Sequence, residues 1–288
     1  MASMDPTTNL EKETTTGTAT GSVNGSHNNN NHAASQRWDY GHNPLAHVHS
    51  GPDGRLPAFG GEFQPGLWKS NEHRKFANPA PLGLSAFALT TFVLSLINCG
   101  ARGISEPNVV LSVAFGYGGL VQLLAGMWEM AVGNTFGATA LSSFGGFWIA
   151  YAILLTPGFN ALGAYTEAAD EASVLGFFLT GWFIFTFILL ICTLRSTVMF
   201  FLLFLTLDLA FLMLACSEFA ASNGAAGSSK TLQQAGGGFG LLAAFLAWYN
   251  AFAGIADPSN SFFLIPVFHF PWSEKGRESR GKTVRETV

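Results

Sequence analysis

Two carboxylates stand inside long apolar runs: Glu129 in "GMWEMAVGNTFGATA" and Asp208 in "FLTLDLAF". An ionisable group at membrane depth is costly, so a functional role is the default hypothesis. Burial favours the neutral acid, so either residue can hold a proton. Two readings stay open for each. Glu129 is a proton-linked group, or an interfacial acid that caps a neighbouring helix. Asp208 is a proton carrier, or a protonated residue hydrogen-bonded within the packing.

Neutral polar groups accompany them. Gln122, Asn134, Thr135, Ser142, Ser143 and Asn250 lie in or between the apolar runs. Amide and hydroxyl donors bind a carboxylate less firmly than arginine would. A conducting path needs that compromise, because the ion must also leave. Interhelical hydrogen bonding is the other use of the same groups. In "VGNTFG" (132–137), Asn134 and Thr135 can cap the following helix, whose free N–H groups and dipole attract anions. A plain turn with an N-cap is the alternative. Lysine and arginine are nearly missing from the runs. Phe87, Phe144, Phe147 and Leu207 are candidates for an apolar gate that works by dewetting, although packing is the commoner use of a phenylalanine.

Six apolar segments must position these groups. Each has roughly the ~20 residues needed to cross a bilayer. They fall near 82–101, 108–131, 137–156, 173–194, 197–217 and 238–256. Charged residues are only 11% of the 288, against about 25% in soluble domains, so the solvent of this chain is largely lipid. The segment at 173–194 is apolar on every face and is expected to meet lipid. The other five are expected to line the interior. Lys69, Arg74 and Lys75 precede the first segment, Arg195 joins the fourth to the fifth, and five basic residues follow the sixth. That bias places both termini in the cytoplasm.

The remaining chain divides by composition. Residues 1–36 are expected to be a disordered tail, because they have too few apolar side chains to offset ordering. Residues 37–76 read as an irregular cytoplasmic segment, 77–257 as the six-helix transport domain and 258–288 as a cytoplasmic tail. Loops are short apart from 218–235.

Several function classes fall away. Cys99, Cys192 and Cys216 are too widely spaced for a disulfide framework or a zinc site. No histidine pair has ligand spacing within the runs, so no metal or cofactor is expected. No Walker A sequence occurs, which argues against ATP-driven pumping. No nucleophile–base pair suggests an enzyme. Basic residues are too few and scattered for nucleic acid.

"NPAPLGL" (78–84) opens the first segment. Pro79 and Pro81 lack N–H donors, and the first turn of a helix leaves such donors unpaired anyway. Asn78 can cap that turn or bind there. Gly83 permits close approach of another backbone.

These blocks carry a resemblance. "NPAPLGL", Phe115 to Leu123, "GMWEMAVGNTFGATA", "SFGGFW", "STVMFFLLF" and "AWYNAFAG" are similar, in the same order, to blocks of the acetate uptake transporter family, also called the GPR1/FUN34/YaaH family, in its fungal branch. The resemblance covers about 76–272. It implies an all-α membrane protein: six transmembrane helices around a central substrate path, arranged as a ring-shaped homohexamer resembling acid-gated urea channels. It implies acetate and other short monocarboxylates as substrates, carried with protons or as a channel, in a fungal plasma membrane among its lipids.

It also implies a constriction of a Phe, a Tyr and a Leu, matching Phe87, Phe144 and Leu207, and a small residue before the last helix, matching Ala235. Phe144 stands where the family has Tyr, and so lacks its hydroxyl. Asp208 stands where an apolar or small residue is expected. Gly133 replaces an acidic residue carried by some fungal relatives. On this reading Asn78, Gln122, Asn134, Thr135 and Asn250 offer donors along the path, and Glu129 or Asp208 is the proton-linked group. Two rivals remain: a channel for small neutral solutes such as urea or ammonia, and an acetic-acid sensor or adaptor acting through the N-terminal tail.

Overall fold

Backbone amides in a bilayer have no water to pair with, so a spanning chain satisfies them within helices. The computed structural model, which describes residues 76–278, follows that rule almost throughout. Its helices are α1 (Ala80–Asn98), α2 (Asn108–Phe115), α3 (Gln122–Val132), α4 (Thr135–Leu155), α5 (Ala168–Cys192), α6 (Val198–Ser222) and α7 (Ala226–Ile255). A π-turn, Gly116–Val121, joins α2 to α3 into one crossing. Six helices are thus long and apolar enough to span a membrane. In order along the chain, α3 packs on α4, α5 on α6 and α6 on α7, while α1 packs on α7 and α3.

Lipid tails are as apolar as leucine, so helices in a membrane are held by close packing rather than by the hydrophobic effect. Glycine supplies that closeness at α3 and α4. A Cβ on Gly126 would lie 2.4 Å from the backbone nitrogen of Ser142, and a Cβ on Gly145 would lie 2.7 Å from that of Leu123. The two backbones therefore touch reciprocally. On α7, a Cβ at Gly237 would meet the backbone of Cys99 and Ser95, and one at Gly240 would meet Ser95 Oγ at 2.2 Å. α1 and α7 are pressed together by the same device.

The π-turn solves a phase problem. Val110, Ala114, Gln122, Gly126 and Glu129 are all buried. A regular helix would turn about 100° too far between Val110 and Glu129 for one face to hold both. One extra residue in the turn absorbs that angle. Gly118 and Gly119 allow it, because side chains there would strike Thr90 and the Ala114 carbonyl.

The largest departure from the sequence reading concerns 218–235. That stretch is no loop. α6 runs on to Ser222, α7 begins at Ala226, and only 223–225 turns. Small residues there look like linker, but they pack: Ser217 Oγ donates to the Ser229 carbonyl at 2.8 Å, and Gly236 fits against Leu214. Ala235 accordingly lies within α7 rather than before it. The first helix also ends at Asn98 rather than near 101, where Gly100 takes a left-handed φ of 69°.

α5 exposes Phe177, Ile184, Phe187 and Ile188, as its all-round apolarity suggested. Its other side nevertheless faces the interior, so all six crossings line the protein's cavities.

Beyond α7, residues 268–277 fold back as a strap. The Val198 N–H donates to the Phe268 carbonyl at 2.7 Å, and Trp272 Nε1 donates to the Leu194 carbonyl at 2.7 Å. Thr197 pairs with His269. Burial, and then the charge of Lys275, holds the His269 imidazole below its ordinary value.

The glycine contact yields a test. Gly126→Ala places a methyl against backbone that cannot rotate away, and overpacking of this kind costs about 1–3 kcal/mol. The purified variant is expected to melt several degrees below the parent. Gly181→Ala, where an added Cβ meets nothing within 4 Å, is expected to leave the melting temperature unchanged or slightly raised.

Candidate functional site

The site is built from three helices that bring large apolar side chains to one level. Phe87 comes from α1, Phe144 from α4 and Leu207 from α6, and all three are buried. The rings of Phe87 and Phe144 lie 5.9 Å apart. Phe144 also stacks on Phe211, at 6.4 Å and 10°, which holds it flat against α6.

Two cavities meet at this level. A vestibule of about 240 Å³ opens toward the α5 and α7 N-termini, lined from Asn98, Ser105 and Gln233 down to Phe87 and Leu207. Beyond lies an inner cavity of about 20 Å³, also lined by Phe87 and Leu207, together with Phe144, Leu84, Leu203 and Gln122. That volume holds about one water. Phe87 and Leu207 therefore divide a wide mouth from a narrow interior. Phe200 and Phe204 also line the inner cavity, and with Phe136 they pack edge to face at 5.1–5.6 Å.

Gln122 is the polar group of the inner cavity. It is fully buried, and neither its Oε1 nor its Nε2 has a hydrogen-bond partner. Unsatisfied buried amide atoms are expensive, so this side chain is suited to a passing solute or water. The π-turn that precedes it aims it inward. Two further unpartnered groups line the vestibule side, Thr91 Oγ1 and Trp148 Nε1. Sequence reasoning missed both. The available signal was spacing: each lies four residues, one helical turn, beyond a constriction phenylalanine, Phe87 or Phe144.

Glu129 and Asn134 form a separate unit. Both are fully buried. Asn134 Nδ2 donates to Glu129 Oε2 at 2.6 Å, while Asn134 Oδ1 accepts from the Gly137 N–H at 3.0 Å and caps α4. Gly133, at a φ of 88°, ends α3 and turns the chain between them. Glu129 thus orients the capping amide, and it lines neither cavity. Thr135 is the first residue of α4, and its side chain is exposed.

The other sequence candidates scatter. Asn78 Oδ1 accepts from the Ala80 N–H at 3.1 Å, and the residue lines an open groove with Tyr117, Gly254 and Asp257 rather than the vestibule. Asn250 is buried and donates to the Leu246 carbonyl at 2.7 Å. Asp208 is 5% exposed, with Oδ1 unpartnered. Neither Asn250 nor Asp208 lines either cavity. Ala235 points outward, and its neighbour Gly236 lines the vestibule instead. The carboxylate that does face the vestibule is Glu218. The expected end of the fifth segment at 217 had placed it in the loop that follows.

Comparison with known proteins adds an independent finding. Residues 59–272 match the profile of the GPR1/FUN34/yaaH family. The chain is 67% identical over 261 residues to acetate permease A of Emericella nidulans, covering 89% of this chain and 87% of that one. It is 34% identical over 194 residues to the succinate-acetate/proton symporter SatP of Escherichia coli, covering 67% and 96%. The solved structure of the bacterial acetate channel SatP superposes with a TM-score of 0.58 at 30% identity, over 67% of this chain and 99% of that chain.

The Glu129–Asn134 unit gives the second test. Asn134→Ala removes the cap and leaves Glu129 Oε2 without that donor. Loss of a cap costs about 0.5–2 kcal/mol, and losing a buried hydrogen bond adds about 0.5–1.5 kcal/mol. Asn134→Asp keeps a capping oxygen but sets an acid against Glu129. Both variants are expected to melt below the parent. A melting temperature unchanged in Asn134→Ala would separate Glu129 from the stability of this turn.

Proposed function

The chain belongs to the GPR1/FUN34/yaaH family, and from that premise we propose that it conducts acetate and other short monocarboxylates across a fungal plasma membrane. It is a multi-pass membrane protein with six crossings. The observation that carries the reading is the sequence of environments along one line through the helices: a wide mouth, the Phe87–Phe144–Leu207 level, the unpartnered Gln122 amide and a phenylalanine cluster.

That arrangement suits a small solute with one polar end and one methyl end. In the vestibule the carboxylate finds Thr91, Ser95 and Asn98, and its methyl group finds Leu94, Phe147 and Phe178. At the constriction only apolar contact is available, so a large or strongly hydrated ion meets a dewetting barrier. Gln122 then offers a hydrogen bond just past the narrow point. Among the described residues no lysine or arginine lines the two cavities, so the anion is not held so tightly that it cannot leave. Phe144 contributes ring area and no hydroxyl, which leaves hydrogen bonding at this level to Gln122.

Both termini lie in the cytoplasm on this reading, with the vestibule opening outside. Exposed Leu120, Leu124, Met127 and Trp128 provide an apolar face for neighbouring protomers of a ring or for lipid.

Purified full-length protein in liposomes tests the function directly. Labelled acetate should enter faster than into protein-free vesicles, and labelled urea should not. Urea or ammonia flux with no acetate flux would replace this reading by the neutral-solute channel. Leu207→Ala tests the gate. Removing buried side-chain carbons from a selective pocket shifts discrimination by about tenfold or more, so uptake of longer monocarboxylates should rise about tenfold relative to acetate. An unchanged ratio removes Leu207 from the gate.

A further inference from the structure

This inference rests on the transport reading above. Among the described residues the vestibule lining contains one carboxylate, Glu218, in the last turns of α6, on the same lining as Asn98, Ser105 and Gln233. It is half-buried and makes no hydrogen bond or ion pair with any described residue. The titratable and charged residues on the elements that border the vestibule include Tyr151 on α4, Glu171 in the first turn of α5, Lys230 on α7, and Arg102 and Glu106 on the α1–α2 connection. Glu171 and Tyr151 interact with it electrostatically. Glu106, Glu171, Lys230 and Arg102 are exposed or at the rim, and none of them lines the cavity.

A carboxylate without a cation partner, at the mouth of a path for carboxylates, has opposite effects in its two protonation states. Ionised, it sets a negative charge before an arriving anion within a low-dielectric funnel, where repulsion is stronger than in water. Protonated, it presents an O–H donor among the Asn98 and Gln233 amides, a charge-assisted hydrogen bond for the same anion. Glu129 and Asp208 cannot act this way, because neither lines the vestibule or the inner cavity.

The geometry points to Glu218 as the residue that makes admission to this pathway pH-dependent, accepting a short carboxylate when protonated and repelling it when ionised.

The test uses the full chain in liposomes, with labelled acetate as the probe and uptake into protein-free vesicles subtracted. Uptake is followed between about pH 5 and pH 8. The parent is expected to lose uptake as pH rises. In Glu218→Gln, a neutral isostere, the ratio of acid-side to alkaline-side uptake should collapse by about tenfold, the change in protonated fraction expected per pH unit. Glu218→Ser removes the same charge and serves where the glutamine variant does not reach the membrane. A charge-free variant that keeps the parent's pH profile overturns the inference, as does one that is incorporated yet moves no acetate. A parent whose uptake is already flat with pH overturns it too. A parent that moves no acetate at any pH removes the transport reading itself, which is a different failure.

Discussion

The contact between the backbones of α3 and α4 is what the rest of this structure depends on. Gly126 sits against Ser142, and Gly145 against Leu123, with no room for a Cβ on either side. In a membrane this closeness is itself the attractive force, since dispersion between touching backbones has no hydrophobic effect to assist it. It also sets geometry. With the two helices locked in antiparallel register, the Gly133–Asn134 turn must be tight, and Glu129 falls within reach of the Asn134 amide. The same register places Gln122 and Phe144 on the lining of one cavity.

The distribution of charge follows a consistent logic. Carboxylates buried deep in the helices are kept out of the path: Glu129 is tied to a capping amide, and Asp208 stands beside Leu207 without joining the cavity lining. The path itself is left to neutral donors and aromatic rings. On the proposed reading, a solute passing between Phe87 and Leu207 would trade hydration for the amide of Gln122, whose atoms are without a partner in the structure. The mouth differs, because Glu218 is half-exposed there and can change its charge without unfolding anything around it.

Much of the site was legible because its signals are local. Apolar length located the crossings. "NPAPLGL" read as a helix start, and Asn78 does bond to the Ala80 N–H. Asn134 read as a cap and is one. Errors arose where composition misleads. "GAAGSSKTLQQAGGGFG" resembles linker because glycine and serine favour flexible chains, yet Gly236, Gly237 and Gly240 are small so that α7 can lie on α1 and α6. Reading it as a loop displaced Ala235 from its true surroundings and put Glu218 beyond the end of its helix. Asn250 looked functional by type, and its Nδ2 donates to the Leu246 carbonyl one turn back.

The sequence by itself determined that this chain spans a membrane six times, which residues are polar at depth, and which apolar side chains recur at helical spacing. Those properties follow from length, hydropathy and the 3.6-residue period, which act within a single helix. Only the tertiary structure decided which polar groups meet the path. That depends on the rotation of each helix about its own axis, and the rotation is set by distant contacts: a π-turn that shifts the phase before Gln122, glycines that press α7 onto α1, and an antiparallel register that turns Glu129 toward a cap and Glu218 toward the mouth.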